Sequence, residues 1–131
     1  MLVNYKIIQA RDFIKAKPTG EIDIEESKRV LGQLADMAML VEECEIMMDV
    51  REAYGNLQMT DLHELVLELG RHREAFRRKI AVIARDDEQF NKAVFVEMCA
   101  KIDGFSVVAF TDFEKAISWL QSDDSIQDLW T

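Results

Sequence analysis

Three clusters of charged and hydroxyl-bearing residues follow apolar runs in this chain. Asp49, Arg51 and Tyr54 come after one run, Arg85, Asp86 and Asp87 after a second, and Thr111 and Asp112 after a third. An aspartate two positions from an arginine stays ionised through the ion pair. Arg51 and Arg85 carry planar guanidinium forks suited to two-point binding of a phosphate or carboxylate. In an open α/β sheet, ligands bind beyond the carboxyl ends of the parallel strands. Asp49, Arg51, Tyr54, Arg85, Asp86, Thr111 and Asp112 therefore form a candidate binding rim. The competing reading is that they cap helices and satisfy loop backbone, as every helix end requires. A second concentration is basic: Arg71, His72, Arg73, Arg77, Arg78 and Lys79, in a chain of formal net charge -9. It reads either as a docking patch for an acidic partner or as a solvated bend whose arginines offset Glu68 and Glu74.

Catalytic chemistry has little to stand on. The five serines, Ser27, Ser106, Ser118, Ser122 and Ser125, sit in no Gly-x-Ser-x-Gly setting. Cys44 precedes a strand-like run and Cys99 lies in a helix-like run, and both read as buried, reduced thiols rather than nucleophiles. His63 and His72 stand apart without Cys-x-x-Cys or His-x-x-x-His, so no metal site is expected. The five scattered glycines build no phosphate loop. The expectation is a non-enzymatic protein without a cofactor. The acidic balance disfavours nucleic acid and anionic membrane as partners. No apolar run approaches the roughly 18 residues of a membrane helix. The start of the chain, MLVNYKIIQARDF, has no long apolar stretch of the signal-peptide kind, which points to the cytoplasm.

The elements that must position these residues are legible as alternating runs. Tyr5–Ala10 and Phe13–Lys17 read as two strands separated only by Arg11-Asp12, a hairpin spacing. Pro18, the only proline, and Gly20 end the second. Asp23 with Glu26 reads as a capping box ahead of a helix with Leu31, Leu34, Ala35, Ala38 and Val41 inward. Glu45–Val50 reads as a strand covered on both faces. Thr60 reads as the N-cap of a second helix, with Leu62, Leu65, Val66 and Leu69 inward. Lys79–Ala84 is the clearest strand. A third helix from about Asp87 to Asp103 turns Phe90, Val94, Phe95, Met98 and Ile102 inward and stops at Gly104. Ser106–Phe110 is the last strand. Thr111 with Glu114 reads as a capping box for a helix with Phe113, Ala116, Ile117 and Leu120 inward. Strands alternating with helices imply an α/β fold: a mostly parallel five-stranded sheet with an N-terminal antiparallel hairpin and four helices. Residues 1–121 read as a single domain and 122–131 as a tail. In that tail, Ile126, Leu129 and Trp130 either fold back on the domain or join a second subunit to make a homodimer.

This order of landmarks resembles the SpoIIAA-like proteins of the STAS superfamily. The features are the hairpin with Gly20 ahead of a helix, and the strand ending in Asp49 with Arg51 close behind. With them come Asp61-Leu62 leading to Gly70-Arg71-His72-Arg73 and Phe76, then Arg78-Lys79-Ile80-Ala81-Val82. Phe110-Thr111-Asp112 and Trp119-Leu120 complete the set. The resemblance spans about residues 4 to 121. It implies a regulatory, protein-binding domain related to anti-anti-sigma factors, in which a serine at the start of the helix after the third strand is phosphorylated. Thr60 stands at the comparable place, but the local sequence Met59-Thr60-Asp61-Leu62 lacks the Asp-Ser-Ser-Gly pattern. The alternative is a carrier or sensor of a small, lipid-like apolar ligand, because the fold also resembles CRAL-TRIO domains and the helices are rich in Met and Phe.

Overall fold

The computed structural model describes residues 7–9, 13–41 and 44–122. Strand side chains alternate between two faces, and both faces here are apolar. Ile46, Met48, Ile80 and Val107 belong to one buried cluster, Met47, Ala81 and Ile83 to another. A sheet of this kind needs helices on both sides, and it has them.

The five-stranded sheet has the order β1-β2-β4-β6-β7, with β1 Ile7–Gln9, β2 Phe13–Ala16, β4 Glu45–Asp49, β6 Lys79–Ile83 and β7 Ser106–Phe110. β1 runs antiparallel to β2, and every other pairing is parallel. Each new strand after β2 adds on the same side of the last. The connecting helices α1 (Ile24–Leu40), α2 (Met59–Arg71) and α3 (Glu88–Ile102) therefore share one face. α4 (Phe113–Leu120) covers the other through Ala116 and Leu120. The mostly parallel α/β sheet with four helices is as the alternating runs imply.

Two strands of two residues each, β3 (Gly20–Glu21) and β5 (Ala53–Tyr54), add a parallel ribbon that the sequence reading lacked. Pairs so short carry no periodicity. Other departures concern helix ends and facing. Asp23 caps α1, its carboxylate accepting from the Glu26 amide at 2.8 Å. Thr60 is not a cap: α2 starts at Met59 after Gln58, and the Asp61 carboxylate accepts from the Gln58 amide at 2.8 Å. Asp112, not Thr111, caps α4, accepting from the Glu114 amide.

α3 is apolar around most of its circumference, so bulk alone does not mark its inner side. The inward residues are Ala93 and Ala100, while Met98 and Ile102 lie exposed. Glu97 accepts from the Ala109 amide at 2.8 Å, which covers a free N–H of edge strand β7. Gly104, at φ 89°, takes the left-handed turn after α3. The Phe105 and Gly104 amides return to the Ala100 and Lys101 carbonyls, closing a Schellman motif. Cys44 is buried and Cys99 half-buried, both as free thiols. No helix among the described residues is long and apolar enough to cross a membrane. The Ile126, Leu129 and Trp130 tail and the Arg11-Asp12 turn lie outside the described residues.

Candidate functional site

β4 ends in an aspartate that is almost fully buried, Asp49 at 1% exposure. By strand alternation it shares the α4 face with Met47. A buried carboxylate needs a partner, and Arg51 supplies both atoms of its fork: Nε to Oδ1 at 3.0 Å and Nη2 to Oδ2 at 2.9 Å. The Arg51 amide adds a third bond to Oδ1 at 3.1 Å. Burial pushes the Asp49 carboxyl up, but the Arg51 side chain, its amide and its charge outweigh this and hold the carboxyl below its ordinary value. The pair fixes the chain just where it leaves the sheet.

The segment that follows has backbone carbonyls with no ladder of their own, and residues from the β6–α3 connection satisfy them. Arg85 Nη1 donates to the carbonyls of Arg51 at 2.6 Å and Ala53 at 3.0 Å. Gln89 Nε2 donates to the carbonyls of Val50 at 2.7 Å and Ala53 at 3.2 Å, while its Oε1 accepts from the Arg85 amide. Asp87 accepts from Arg85 Nε and from the Gln89 amide, closing the network. The Gln89 amide, helped by Arg85, lowers the Asp87 carboxyl against the opposing effect of desolvation. On the far side, the Gly20 amide donates to Glu52 and the Ile22 amide to Tyr54. Gly55 follows at such close range that a Cβ there would stand 2.3 Å from the Ile22 carbonyl oxygen. Only glycine permits this approach.

Beneath this braced segment lies a cavity of about 470 Å³, between the sheet and helices α1 to α3. Its body is apolar, with Val30, Met48, Leu65, Val82, Val96 and Val107 among its walls. Its polar groups gather where the strands end: Tyr54, Arg85, Asp87, Glu88, Gln89 and Lys92. The small inward residues of α3, Ala93 above all, leave this volume unfilled.

The rim expected from the sequence is thus divided. Tyr54 and Arg85 line the cavity, whereas Asp49 belongs to the opposite face. Asp86, Thr111 and Asp112 are exposed, and among the described residues no hydrogen bond or ion pair joins them to Asp49, Arg51, Tyr54 or Arg85. Thr60 is exposed in the first turn of α2. Most of the basic residues have local partners. Arg71 and His72 approach Glu68 at 3.8 and 3.2 Å, and Arg77 pairs with Glu74 at 2.9 Å. Arg73 stacks over Phe105 and donates to the Asp103 carbonyl. Arg78 reaches the carbonyls of Ala38, Val41 and Cys44 at the end of α1. The next residue, Lys79, donates from the other sheet face to Trp119 and Ser122 at the end of α4. Consecutive cations thus serve helix C-termini on opposite faces, where positive charge is favoured.

Sequence reasoning missed Gln89, Gly55 and Lys92. Gln89 carries a usable signal: it precedes Ala93 by four and Ala100 by eleven positions, which puts all three on one helical stripe. Small residues on that stripe mark room for a cavity.

No protein-family model matches this chain, and no curated protein matches it. Solved structures do. An uncharacterised protein of the DUF3478 family from Shewanella loihica, described as having a SpoIIAA-like fold, aligns with a TM-score of 0.60 at 18% identity. The match covers 90% of this chain and 93% of that one. An anti-sigma factor antagonist from Mycobacterium paratuberculosis aligns with a TM-score of 0.64 at 12% identity, covering 92% of this chain and 96% of that one. The chain has a SpoIIAA-like fold.

Proposed function

We propose that this SpoIIAA-like chain is a non-enzymatic regulatory domain that binds a protein partner through the surface running from Asp49 to Asp61 and the start of α2. One observation carries the reading. The segment is braced from below by Asp49, Arg51, Arg85 and Gln89, yet presents Tyr54 and Met59 outward at 58% and 55% exposure. A preorganised loop with exposed apolar and aromatic side chains loses little entropy on docking, and tyrosine is a frequent interface anchor. The anti-sigma factor antagonist of the same fold is in keeping with it. Thr60 supplies a modification site: a phosphate in the first turn of α2 is favoured by the helix dipole and changes the charge of the docking surface. Capture of a partner that is indifferent to Tyr54→Ser, Met59→Ser and Thr60→Glu would contradict the proposal.

The cavity favours a second reading, a carrier or sensor of a small apolar ligand. Its volume and apolar walls with polar groups at one end fit the usual character of small-molecule sites. Native mass spectrometry of the protein from the cells that make it, followed by denatured mass on the same sample, separates the two. A noncovalent small-molecule adduct supports the carrier, a protein complex supports the regulator, and a phosphate on Thr60 supports the switch.

A further inference from the structure

We infer that the cavity takes a single-chain amphiphile with an acidic head, its apolar chain among the helices and its carboxylate at Lys92. The inference rests on the ligand-binding reading of the cavity and specifies the ligand. At an interior packing density of about 0.74, a space of about 470 Å³ takes roughly 350 Å³ of atoms, a molecule of roughly 15–20 non-hydrogen atoms.

The polar end decides the head group. Gln89 has both side-chain atoms engaged by backbone, and the Asp87 carboxylate is held by Arg85 and the Gln89 amide. Arg85 uses Nε and Nη1 within the network, leaving Nη2. Lys92 is half-buried, lines the cavity, and has no hydrogen bond or ion pair among the described residues. The one carboxylate of the lining without a partner there, Glu88, is exposed. The half-buried lining groups still able to bond a ligand are therefore donors: the Lys92 ammonium and Arg85 Nη2. A carboxylate is the simplest group that accepts from both, and a lysine partly withdrawn from water binds it more strongly than an exposed one.

The test is a fluorescence titration of the delipidated full chain with cis-parinaric acid and with its methyl ester, both kept below their aggregation concentrations. The expected result is saturable binding of the acid, about tenfold weaker binding of the ester, and Lys92→Gln weakening the acid about tenfold while leaving the ester unchanged. Lys92 has no structural partner among the described residues, so the variant folds, and matching thermal melts check this. Equal binding of acid and ester, or an acid affinity unmoved by Lys92→Gln, overturns the acidic-head assignment and leaves the cavity as an apolar site. Absence of saturable binding by either probe overturns the ligand-binding reading itself, and the inference with it.

Discussion

Asp49 and Arg51 form a two-point ion pair across a single intervening residue, at 2.9 and 3.0 Å, with the carboxylate at 1% exposure. Because Asp49 is held below its ordinary value, the stability it contributes is present above the unfolded carboxyl's pKa, about 4, and is lost as pH falls through the lower folded value. Arg51→Met leaves the buried carboxylate unpaired and is expected to cost about 2 kcal/mol at pH 7. Burial then raises Asp49 above its unfolded value, so the deficit shrinks as the pH is lowered to 4. Urea denaturation at the two pH values checks this, and an equal deficit at both contradicts it.

Gly55 tests whether the loop's position depends on its approach to Ile22. Gly55→Ala places a Cβ against a backbone carbonyl oxygen that cannot rotate away. The expected loss is about 1–3 kcal/mol. Hydrogen exchange should quicken at the Ile22 amide, which donates to Tyr54. Unchanged stability and protection would mean that the loop relaxes without cost.

Arg77 and Arg78 are adjacent but do different things. Arg78→Met strips hydrogen bonds from the Ala38, Val41 and Cys44 carbonyls and should cost about 1–3 kcal/mol. Arg77→Met removes an exposed ion pair with Glu74 and should change stability by less than about 0.5 kcal/mol. Thermal or urea unfolding of the two variants decides it. Equal losses would refute the division between a structural Arg78 and a surface Arg77.

At the start of α2 the capping bond comes from Asp61 rather than Thr60. Asp61→Ala is expected to cost about 1 kcal/mol and Thr60→Ala close to nothing. Chemical denaturation that finds the reverse ranking would restore Thr60 as the cap. A neutral Thr60→Ala also leaves the residue usable as a clean test of phosphorylation.

The sheet and its four crossing or covering helices were legible from the alternation of short apolar runs with helical stretches, most clearly where a helix keeps its period, as Leu62, Val66 and Leu69 do in α2. α3 was misread because it is apolar nearly all round, so the small stripe of Ala93 and Ala100 lost to the bulk of Met98 and Ile102. Ala93 on that stripe lines the cavity, whose room is marked only by the small residues among which it stands. The pairing of Asp49 with Arg51 was readable from their spacing. The division of the rim between two faces was not, because it depends on the parity with which β4 enters the sheet and on Arg85 and Gln89 reaching back 34 and 39 positions to the loop carbonyls. The basic run looked like a surface feature because adjacency in sequence hides that Arg78 and Lys79 point to opposite faces.

We propose that a partner docks on the surface from Asp49 to Asp61. The most direct measurement is photo-crosslinking in the cells that make the protein, with a photoreactive residue placed at Tyr54 or at Met59, and at the exposed Glu114 and Lys115 of α4 as controls. One discrete protein adduct is expected from positions 54 and 59 and none from 114 and 115. The same adducts from both faces, or none from the rim, would contradict it.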